Sequence, residues 1–460
     1  MVIFTAHRRK PELVAPARAT AREVRSLSDL DSSPGLRQYI TEIEFFRCRV
    51  PGGAPEQLAS SLKAGLAEAL VYYYPVAGRL REVPGRKKLV VDCTAEGAVF
   101  VEAHANVRLE ELKKPLVPPY PCVEELMCDV GDLTTVIGKP LLYLQMTQFS
   151  CGGVVLAIRM CHNVADGFGM VQILRCILDL ARGQPVPAVF PLWERHLLAS
   201  SLPDTTSVPT DMAPEILPTD DAKPMKPKMT SMPPQFDELV TKSFLFGAKE
   251  ITALRRGLPG RLGSSSTVFE IITAAVWRCR VAALGYAPHK QVRVILAKNA
   301  RGSWKREPRL PPGFYGNAVF GATTADVSAD ELCRGSLARA VELVREAKLK
   351  FTDEYAMSVL DLVARNEYRG ADLFDGGFAV SDMSRCGNDS LELGGWAEYA
   401  GGGTPGAAGM LATLSSIYVS CKDTKGDDCV AVPMCLPELA MVKFMSQIAA
   451  VTNIFASSSM

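Results

Sequence analysis

The chain has 460 residues, of which 48% are hydrophobic and 22% charged, and this length and composition favour about two globular domains of roughly 200 residues each. Its 51 Lys and Arg residues balance 50 Asp and Glu residues, so the charge gives no reason to expect nucleic acid or an anionic membrane as a partner. Thirteen cysteines without a CxxC pair favour neither a disulfide framework nor a zinc site, and they indicate a reducing compartment.

The first half of the chain alternates helix and strand patterns. Apolar residues at helical spacing, such as Leu58 and Leu62, predict a helix over 56–74 that ends at Pro75. The residues 150–153 predict a hairpin turn that delivers the chain to a histidine. The other elements predicted here are strands at 89–92, 99–102, 141–149 and 154–160, and a helix over 170–182.

A proline-rich segment separates the two halves. Eight prolines lie between Ser201 and Pro234, where no periodic apolar pattern survives, and this predicts an extended connection between domains. We therefore divide the chain into a first domain at 1–200, a linker at 201–238 and a second domain at 239–460. The second half is predicted to contain helices at 267–284, 330–350 and 437–455, strands at 292–297, 378–381, 415–421 and 429–434, and a glycine-rich loop at 394–409.

The strongest chemical signal lies at 161–167, which reads Cys-His-Asn-Val-Ala-Asp-Gly in a chain with only five histidines. His162 follows a buried strand and precedes a helix, so a rigid strand-to-helix turn presents its side chain. An imidazole with an ordinary pKa near 6.5 suits a general base at neutral pH. Asp166, four residues on, can bind backbone amides or a neighbouring cation and so fix the shape of the turn. Gly167 and Gly169 then allow a tight exit and a close approach to a ligand.

The turn is also compatible with other interpretations. A single histidine near a strand end is often only structural, and HxxxD recurs by chance. A metal site is not favoured, because no third ligand lies at zinc spacing nearby. A Ser-His-Asp hydrolase needs a nucleophile elbow, and the sequence contains no GxSxG.

Further segments give the turn a context, because together with it the chain resembles the plant BAHD acyltransferases, which move an acyl group from a coenzyme A thioester to an alcohol or amine. The resemblance runs from about residue 4 to about residue 454, and the order and spacing of the segments are more specific than any one of them. The matching segments are Leu-Val-Tyr-Tyr-Tyr-Pro-Val-Ala-Gly-Arg-Leu at 70–80, Cys-Thr-Ala-Glu-Gly at 93–97, the turn at 161–167, Phe-Tyr-Gly-Asn at 314–317 and Cys-Leu-Pro at 435–437.

The resemblance implies a mixed α/β fold of two chloramphenicol-acetyltransferase-like domains, each a mixed β-sheet with flanking helices and with the active-site channel between them. It also implies that His162 is the general base and that Asp166 supports the turn. A hydroxyl would lose its proton to His162 and attack the thioester carbonyl, and the tetrahedral intermediate would expel coenzyme A without a covalent acyl-enzyme. Acyl-CoA would be a co-substrate, and no permanently bound cofactor is expected.

A second family signature, Asp-Phe-Gly-Trp-Gly, is altered here to Glu-Leu-Gly-Gly-Trp at 392–396. In the family the carboxylate pairs with an arginine, so the resemblance implies a structural pair between Glu392 and Arg301. Upstream, the family segment near the pantetheine and phosphates implies contacts between coenzyme A and Ser381, Asp382 and Arg385, although Met383 replaces the usual tryptophan.

The N-terminal segment and residues 91–94 are most similar to alcohol acyltransferases, especially benzyl alcohol O-benzoyltransferases. This implies benzoyl-CoA, or another small acyl-CoA, as donor and a small alcohol such as benzyl alcohol as acceptor. The alternatives are acetyl-CoA or a different donor and acceptor pair, a condensation domain of a peptide synthetase, and a catalytically impaired relative that binds an acyl ligand or a protein.

The expected partners are these small molecules alone, with no nucleic acid and no membrane span, and the family expectation is a monomer. The N-terminus turns basic before any signal-peptide apolar stretch, which argues against secretion. The residues Ser458-Ser459-Met460 weakly resemble a C-terminal peroxisomal targeting tripeptide but lack its basic middle residue. A frayed polar terminus explains them equally well. Cytoplasm and peroxisome therefore both stay open.

Overall fold

The computed structural model describes residues 4–50, 57–83, 88–112, 114–200, 238–302, 304, 307–365, 374–405 and 410–452. The linker predicted at 201–238 lies outside these residues except for its last position, and so does the closing Ser458-Ser459-Met460.

The first half contains nine strands and two α-helices within its described residues. They are β1 (Ala6–Arg8), β2 (Glu12–Val14), β3 (Val24–Ser26), β4 (Tyr39–Cys48), α1 (Leu58–Tyr72), β5 (Arg79–Glu82), β6 (Leu89–Asp92), β7 (Ala98–Ala105), β8 (Leu142–Gln148), β9 (Val154–Cys161) and α2 (Gly167–Ala181). The predicted hairpin at 141–160 is confirmed, since β8 and β9 pair antiparallel. Helix α2 begins three residues before the predicted start because Asp166 caps it.

The second half contains eight strands and eight α-helices within its described residues. They are β10 (Leu239–Phe246), α3 (Ala248–Arg256), α4 (Gly260–Ser265), α5 (Val268–Leu284), β11 (Gln291–Asn299), β12 (Val319–Thr323), β13 (Val327–Ser328), α6 (Ala329–Arg334), α7 (Leu337–Leu349), α8 (Asp353–Ala364), β14 (Gly377–Asp382), β15 (Ala397–Gly403), α9 (Met410–Leu414), β16 (Ser415–Lys422), β17 (Asp428–Pro437) and α10 (Glu438–Thr452).

Helix ends in this half follow the local sequence. The hydroxyl of Thr267 accepts the backbone N–H of Glu270, whose carboxylate accepts the N–H of Thr267, and this capping box starts α5 where a helix was predicted. The helix predicted at 330–350 is instead two helices, α6 and α7. It breaks because the hydroxyl of Ser336 accepts the N–H of Arg339 and caps a new helix.

Two mixed sheets organise the molecule. The first has the strand order β1-β7-β8-β9-β4-β15, with β2 also paired to β7, and only β7 and β8 run parallel. The second has the order β10-β17-β16-β14-β11-β12, with β13 also on β11, and β14 is parallel to both of its neighbours. Helices α1 and α2 share one apolar core with the first sheet, and α5, α7 and α10 share another with the second. The predicted fold class, mixed α/β with a helix-flanked sheet in each half, is confirmed.

Strand β15 differs from two predictions, the separate second domain and the glycine-rich loop. Residues 397–403 belong in sequence to the second half, yet they pair antiparallel with β4 and form the edge of the first sheet, so the domain at 239–460 is not a separate unit. Part of the glycine-rich segment is therefore a strand and not a loop. Glycine is needed there because a Cβ on Gly402 would lie 2.2 Å from Glu44 Oε2 and 2.4 Å from the carbonyl oxygen of Ile43.

Candidate active site

His162 lies one residue beyond β9, at the end of the first sheet. Its backbone N–H donates to the carbonyl of Gln38 (2.8 Å), which continues the β4–β9 pairing, and its own carbonyl accepts from Nδ2 of Asn317 (2.6 Å). The side chain is half-buried, and Nδ1 is buried with no hydrogen-bond partner among the described residues. Both halves of the chain therefore hold the backbone of His162.

The surroundings of His162 favour the neutral imidazole. Burial lowers the pKa of His162 from its ordinary value near 6.5, and the charge of Asp166 opposes that fall. A neutral imidazole is the form that accepts a proton, so at neutral pH the ring is ready to act as a base.

Asp166 is the N-cap of α2 and is 3% exposed. Its Oδ1 accepts the N–H of Gly169 (2.9 Å), and its Oδ2 accepts the N–H of Ala318 (3.0 Å). The guanidinium of Arg301 binds it in a bidentate pair, with Nη1 2.8 Å from Oδ2 and Nη2 3.1 Å from Oδ1. These contacts agree with a carboxylate that shapes the turn, because its oxygens are occupied by the protein itself.

The predicted pair between Glu392 and Arg301 is wrong. Arg301 follows β11, and its guanidinium also donates to the carbonyl of Phe314 (3.0 Å), so it is committed to Asp166 and the 314–317 segment. Glu392 instead binds Arg182 at the C-terminal end of α2, with Nη1 2.6 Å from Oε2. The exposed fraction of the Glu392 side chain is 69%, so this is a surface ion pair.

We expect Glu392→Ala to change the free energy of unfolding by less than about 1 kcal/mol, because exposed ion pairs contribute little. Chemical denaturation of Glu392→Ala and Arg301→Ala checks this. Arg301→Ala is the comparison, since it leaves the buried Asp166 carboxylate without its cation, and it is expected to be the more destabilised of the two. Equal losses would contradict the assignment of Arg301 to Asp166.

A second buried ion pair supports the turn, and it was not predicted from the sequence. Asp31 and Arg195 are 0% and 2% exposed at their side chains, and Nη1 of Arg195 lies 3.0 Å from Oδ2 of Asp31. Oδ1 of Asp31 accepts the N–H (2.9 Å) and Nδ2 (2.8 Å) of Asn317, and Arg195 Nη2 donates to the carbonyl of Val164 (2.7 Å). The 161–167 turn is thus held by two carboxylate–arginine pairs.

A partial signal for this second pair was present in the sequence. Asn317 lies in the Phe-Tyr-Gly-Asn segment that was recognised, but Asp31 and Arg195 are 164 residues apart and share no motif. Gly316 belongs to the same arrangement, because a Cβ there would lie 1.3 Å from Nη1 of Arg195. The segment therefore serves as a close-packed support for the ion pair.

The glycines after His162 approach protein atoms and not open space. A Cβ on Gly169 would lie 2.0 Å from the carbonyl oxygen of Tyr315, and a Cβ on Gly167 would lie 2.4 Å from the methyl carbon of Met383. Gly169 thus lets α2 pack against the 314–317 segment. Gly167 places the start of α2 against the residue that follows β14.

The residues predicted to contact coenzyme A lie at this same junction. Ser381 and Asp382 end β14, and Arg385 is exposed three residues beyond. Oδ1 of Asp382 accepts the N–H (3.0 Å) and hydroxyl (2.5 Å) of Ser384, so this carboxylate shapes the turn after the strand. Met383, within this turn, packs against Gly167 at the start of α2, and the side chain of Arg385 is exposed at the surface.

Comparisons with known proteins agree with this architecture. A family model described as "Transferase family" matches residues 5–451. The chain is 45% identical to Acyl transferase 1 of Oryza sativa subsp. japonica, over 98% of this chain and 97% of the relative. It is 40% identical to a benzyl alcohol O-benzoyltransferase of Petunia hybrida, over 97% and 94%. The crystal structure of vinorine synthase shares the fold, with a TM-score of 0.72, 19% identity, and coverage of 97% of this chain and 98% of that one.

The two halves, each a mixed sheet with flanking helices, both contribute residues to the histidine turn, and the matching family model is that of a transferase. The chain belongs to the BAHD transferase family. It is accordingly an acyl-CoA-dependent O-acyltransferase, for which acyl-CoA is a co-substrate. Among the described residues, no helix has both the length and the apolar character needed to cross a membrane.

Proposed function

We propose that this protein transfers a benzoyl or another small acyl group from coenzyme A to the hydroxyl of benzyl alcohol or a similar small alcohol. The observation that carries the chemistry is the half-buried His162, whose backbone and whose neighbour Asp166 are fixed by residues from both halves. The choice of substrates is supported by the 40% identity to a benzyl alcohol O-benzoyltransferase over nearly the whole chain.

In the proposed reaction His162 acts through Nε2, since Nδ1 is buried. Nε2 accepts the proton of the alcohol while the oxygen attacks the thioester carbonyl. The tetrahedral intermediate then breaks its carbon–sulfur bond, and the imidazolium returns the proton to the departing thiolate. The products are one ester and one free coenzyme A, and no acyl group is attached to the protein.

Asp166 and Arg301 are proposed to hold the turn without touching the reacting atoms. The guanidinium holds the carboxylate in place, with Nη1 2.8 Å from Oδ2, and the charge of Asp166 opposes the burial that lowers the pKa of His162. Ser381, Asp382 and Arg385 are proposed to lie along the coenzyme A path. Arg385 is the residue of the three that offers a cation to a phosphate. We also propose that the protein is a monomer, in the cytoplasm or the peroxisome.

Purified protein incubated with benzoyl-CoA and benzyl alcohol should release one thiol for each molecule of benzyl benzoate formed. Thiol titration and mass spectrometry measure the two products, and parallel reactions with acetyl-CoA and with aliphatic alcohols rank the donors and acceptors. A preference for another pair would revise the substrates and keep the reaction. No thiol release with any pair in the panel would overturn the proposed function.

A further inference from the structure

The connection between β14 and β15, residues 383–396, lies along one face of helix α2. It is contacted by Gly167 and Arg175 of the helix and by Arg182 at its C-cap. These positions are eight and seven residues apart, which places them on one side of the helix over about 22 Å at about 1.5 Å per residue. The connection carries the chain from the second sheet to the first, so α2 is the surface against which this crossing is held.

The second part of the connection is fixed by burial in the first half of the molecule. Leu391 and Leu393 are 2% and 5% exposed and belong to the apolar core that α1 and α2 share with the first sheet. Asn388 is 7% exposed, and its Nδ2 donates to Oε1 of Glu42 on β4 (2.8 Å). Because apolar burial is the larger force, these residues stay docked without help from a contact at the surface of α2.

The first part of the connection, the 383–387 turn, carries Arg385 on its exposed side. Met383 lies two residues before Arg385 and packs against Gly167 at the start of α2. Gly387 lies two residues after it, and its carbonyl accepts from Nη2 of Arg175 (2.8 Å). The exposed cation that we propose for a coenzyme A phosphate therefore lies between two points at which α2 holds the turn.

Arg175 is committed to this turn. Its guanidinium is half-buried, forms no ion pair among the described residues, and donates through Nη2 to the hydroxyl of Ser390 (2.8 Å) as well as to Gly387. Gly387 has a φ of +81°, and a Cβ there would lie 3.0 Å from the same Nη2. The charged donor forms stronger hydrogen bonds than a neutral one, and the missing side chain lets it approach closely.

Different groups hold His162. Its backbone N–H donates to Gln38 and its carbonyl accepts from Asn317. Arg175 is a partner in neither bond, and it lies about 12 Å along α2 from Gly167, at about 1.5 Å per residue. The proton chemistry and the 383–387 turn are therefore supported separately.

We propose that Arg175 is a positioning residue for the acyl donor. It holds the 383–387 turn on α2 so that Arg385 lies where a coenzyme A phosphate binds, and it takes no part in the proton transfer at His162. Without Arg175 the turn is free to move while the buried leucines keep the rest of the connection docked, so the protein loses affinity for the donor and keeps its base. The inference rests on the proposed acyl transfer and on the proposed path of coenzyme A.

Arg175→Met keeps the length of the side chain and removes its donors. We expect the KM for acyl-CoA and the Kd for free coenzyme A each to rise roughly 10-fold, the size of one hydrogen bond to a charged group. The kcat, the KM for the alcohol and the pH at which the rate falls should stay as in the wild type. Thiol-release kinetics measure the first set, and titration calorimetry measures the Kd without turnover.

Two results would overturn the proposal. One is a wild-type KM for acyl-CoA together with a wild-type Kd for coenzyme A in Arg175→Met, and the other is a loss confined to kcat. No thiol release by the wild-type enzyme would instead refute the proposed function, and the calorimetric comparison would still test Arg175. Arg175→Lys keeps a charged donor, so it should restore most of the affinity.

Matched variants separate Arg175 from a general loosening of the connection. The control is Arg182→Met, which removes the other arginine that contacts the connection, at its surface ion pair with Glu392, and should keep the wild-type KM for acyl-CoA. An equal rise in both arginine variants would overturn the special place of Arg175.

Ser390→Ala provides a test at an exposed position, where the change does not endanger folding. It removes one of the two acceptors of Arg175 and should raise the KM for acyl-CoA by less than Arg175→Met does. Combined with Arg175→Met it should have no further effect, because both changes break the same hydrogen bond. Effects that add in the double variant would overturn the assignment to this contact.

Discussion

His162→Ala is expected to lower kcat for acyl transfer by roughly 10²–10⁴-fold, the usual contribution of a positioned general base. The loss should appear in kcat more than in KM, because the side chain handles the proton of the nucleophile and is not proposed to hold coenzyme A. Steady-state kinetics with saturating acyl-CoA, monitored by thiol release, measure it. His289→Ala is a suitable control, since that histidine is exposed and lies between α5 and β11. Full activity of His162→Ala would refute the mechanism while leaving the family assignment intact.

The pH profile gives an independent measurement of the same group. Because burial lowers the pKa of His162 from about 6.5, the neutral base predominates at pH 7, and kcat/KM should be flat from pH 7 upward. As the pH falls through the lowered pKa, the imidazole becomes protonated and the rate should fall tenfold per pH unit. A rate that already falls between pH 8 and 7 would mean that His162 has a raised pKa or that another group is the base.

Local sequence predicted the parts of the site that lie within one turn of chain. β9, His162, Asp166 and α2 are contiguous, so periodicity predicted the strand and the helix on either side of the turn, although α2 begins three residues earlier than predicted because Asp166 caps it. The capping box at the start of α5 was recoverable for the same reason. Each of these features depends on residues three or four positions apart, and sequence spacing reports such distances directly.

Long-range partners were not recoverable from spacing. Arg301 binds a carboxylate 135 residues away, and the altered second signature offered Glu392 as a plausible but wrong alternative. Strand β15 carries three glycines at its end, a composition typical of loops, and it becomes a strand because β4 supplies its hydrogen-bond partners. In both cases the outcome was decided by which elements the fold brings together, which a single sequence does not encode in its local pattern.

The ion pair of Asp31 and Arg195 is expected to make the largest contribution to stability of any single contact near the site. Asp31→Ala leaves the guanidinium of Arg195 buried without its carboxylate partner. Its Cζ lies 4.3 Å from the ring centroid of Trp193 and also faces the rings of Tyr315 and Phe314. The substitution should therefore lower the free energy of unfolding by about 3–5 kcal/mol. Denaturant titration measures the loss. The control is Asp326→Ala. It removes the bidentate ion pair between Asp326 and Arg293, in which the carboxylate side chain is 45% exposed, and should cost about 1 kcal/mol or less.

The double variant Asp31→Leu, Arg195→Met separates stability from positioning. Replacing both charges with apolar groups removes the uncompensated buried cation, so much of the lost stability should return. Activity should not return with it, because Asp31 also holds both the backbone N–H and the side-chain amide of Asn317, which in turn binds the carbonyl of His162. We therefore expect a folded protein with kcat reduced at least tenfold and an altered pH profile. A double variant that is both stable and fully active would show that the second ion pair supports only the fold, and that Asp166 and Arg301 position His162 by themselves.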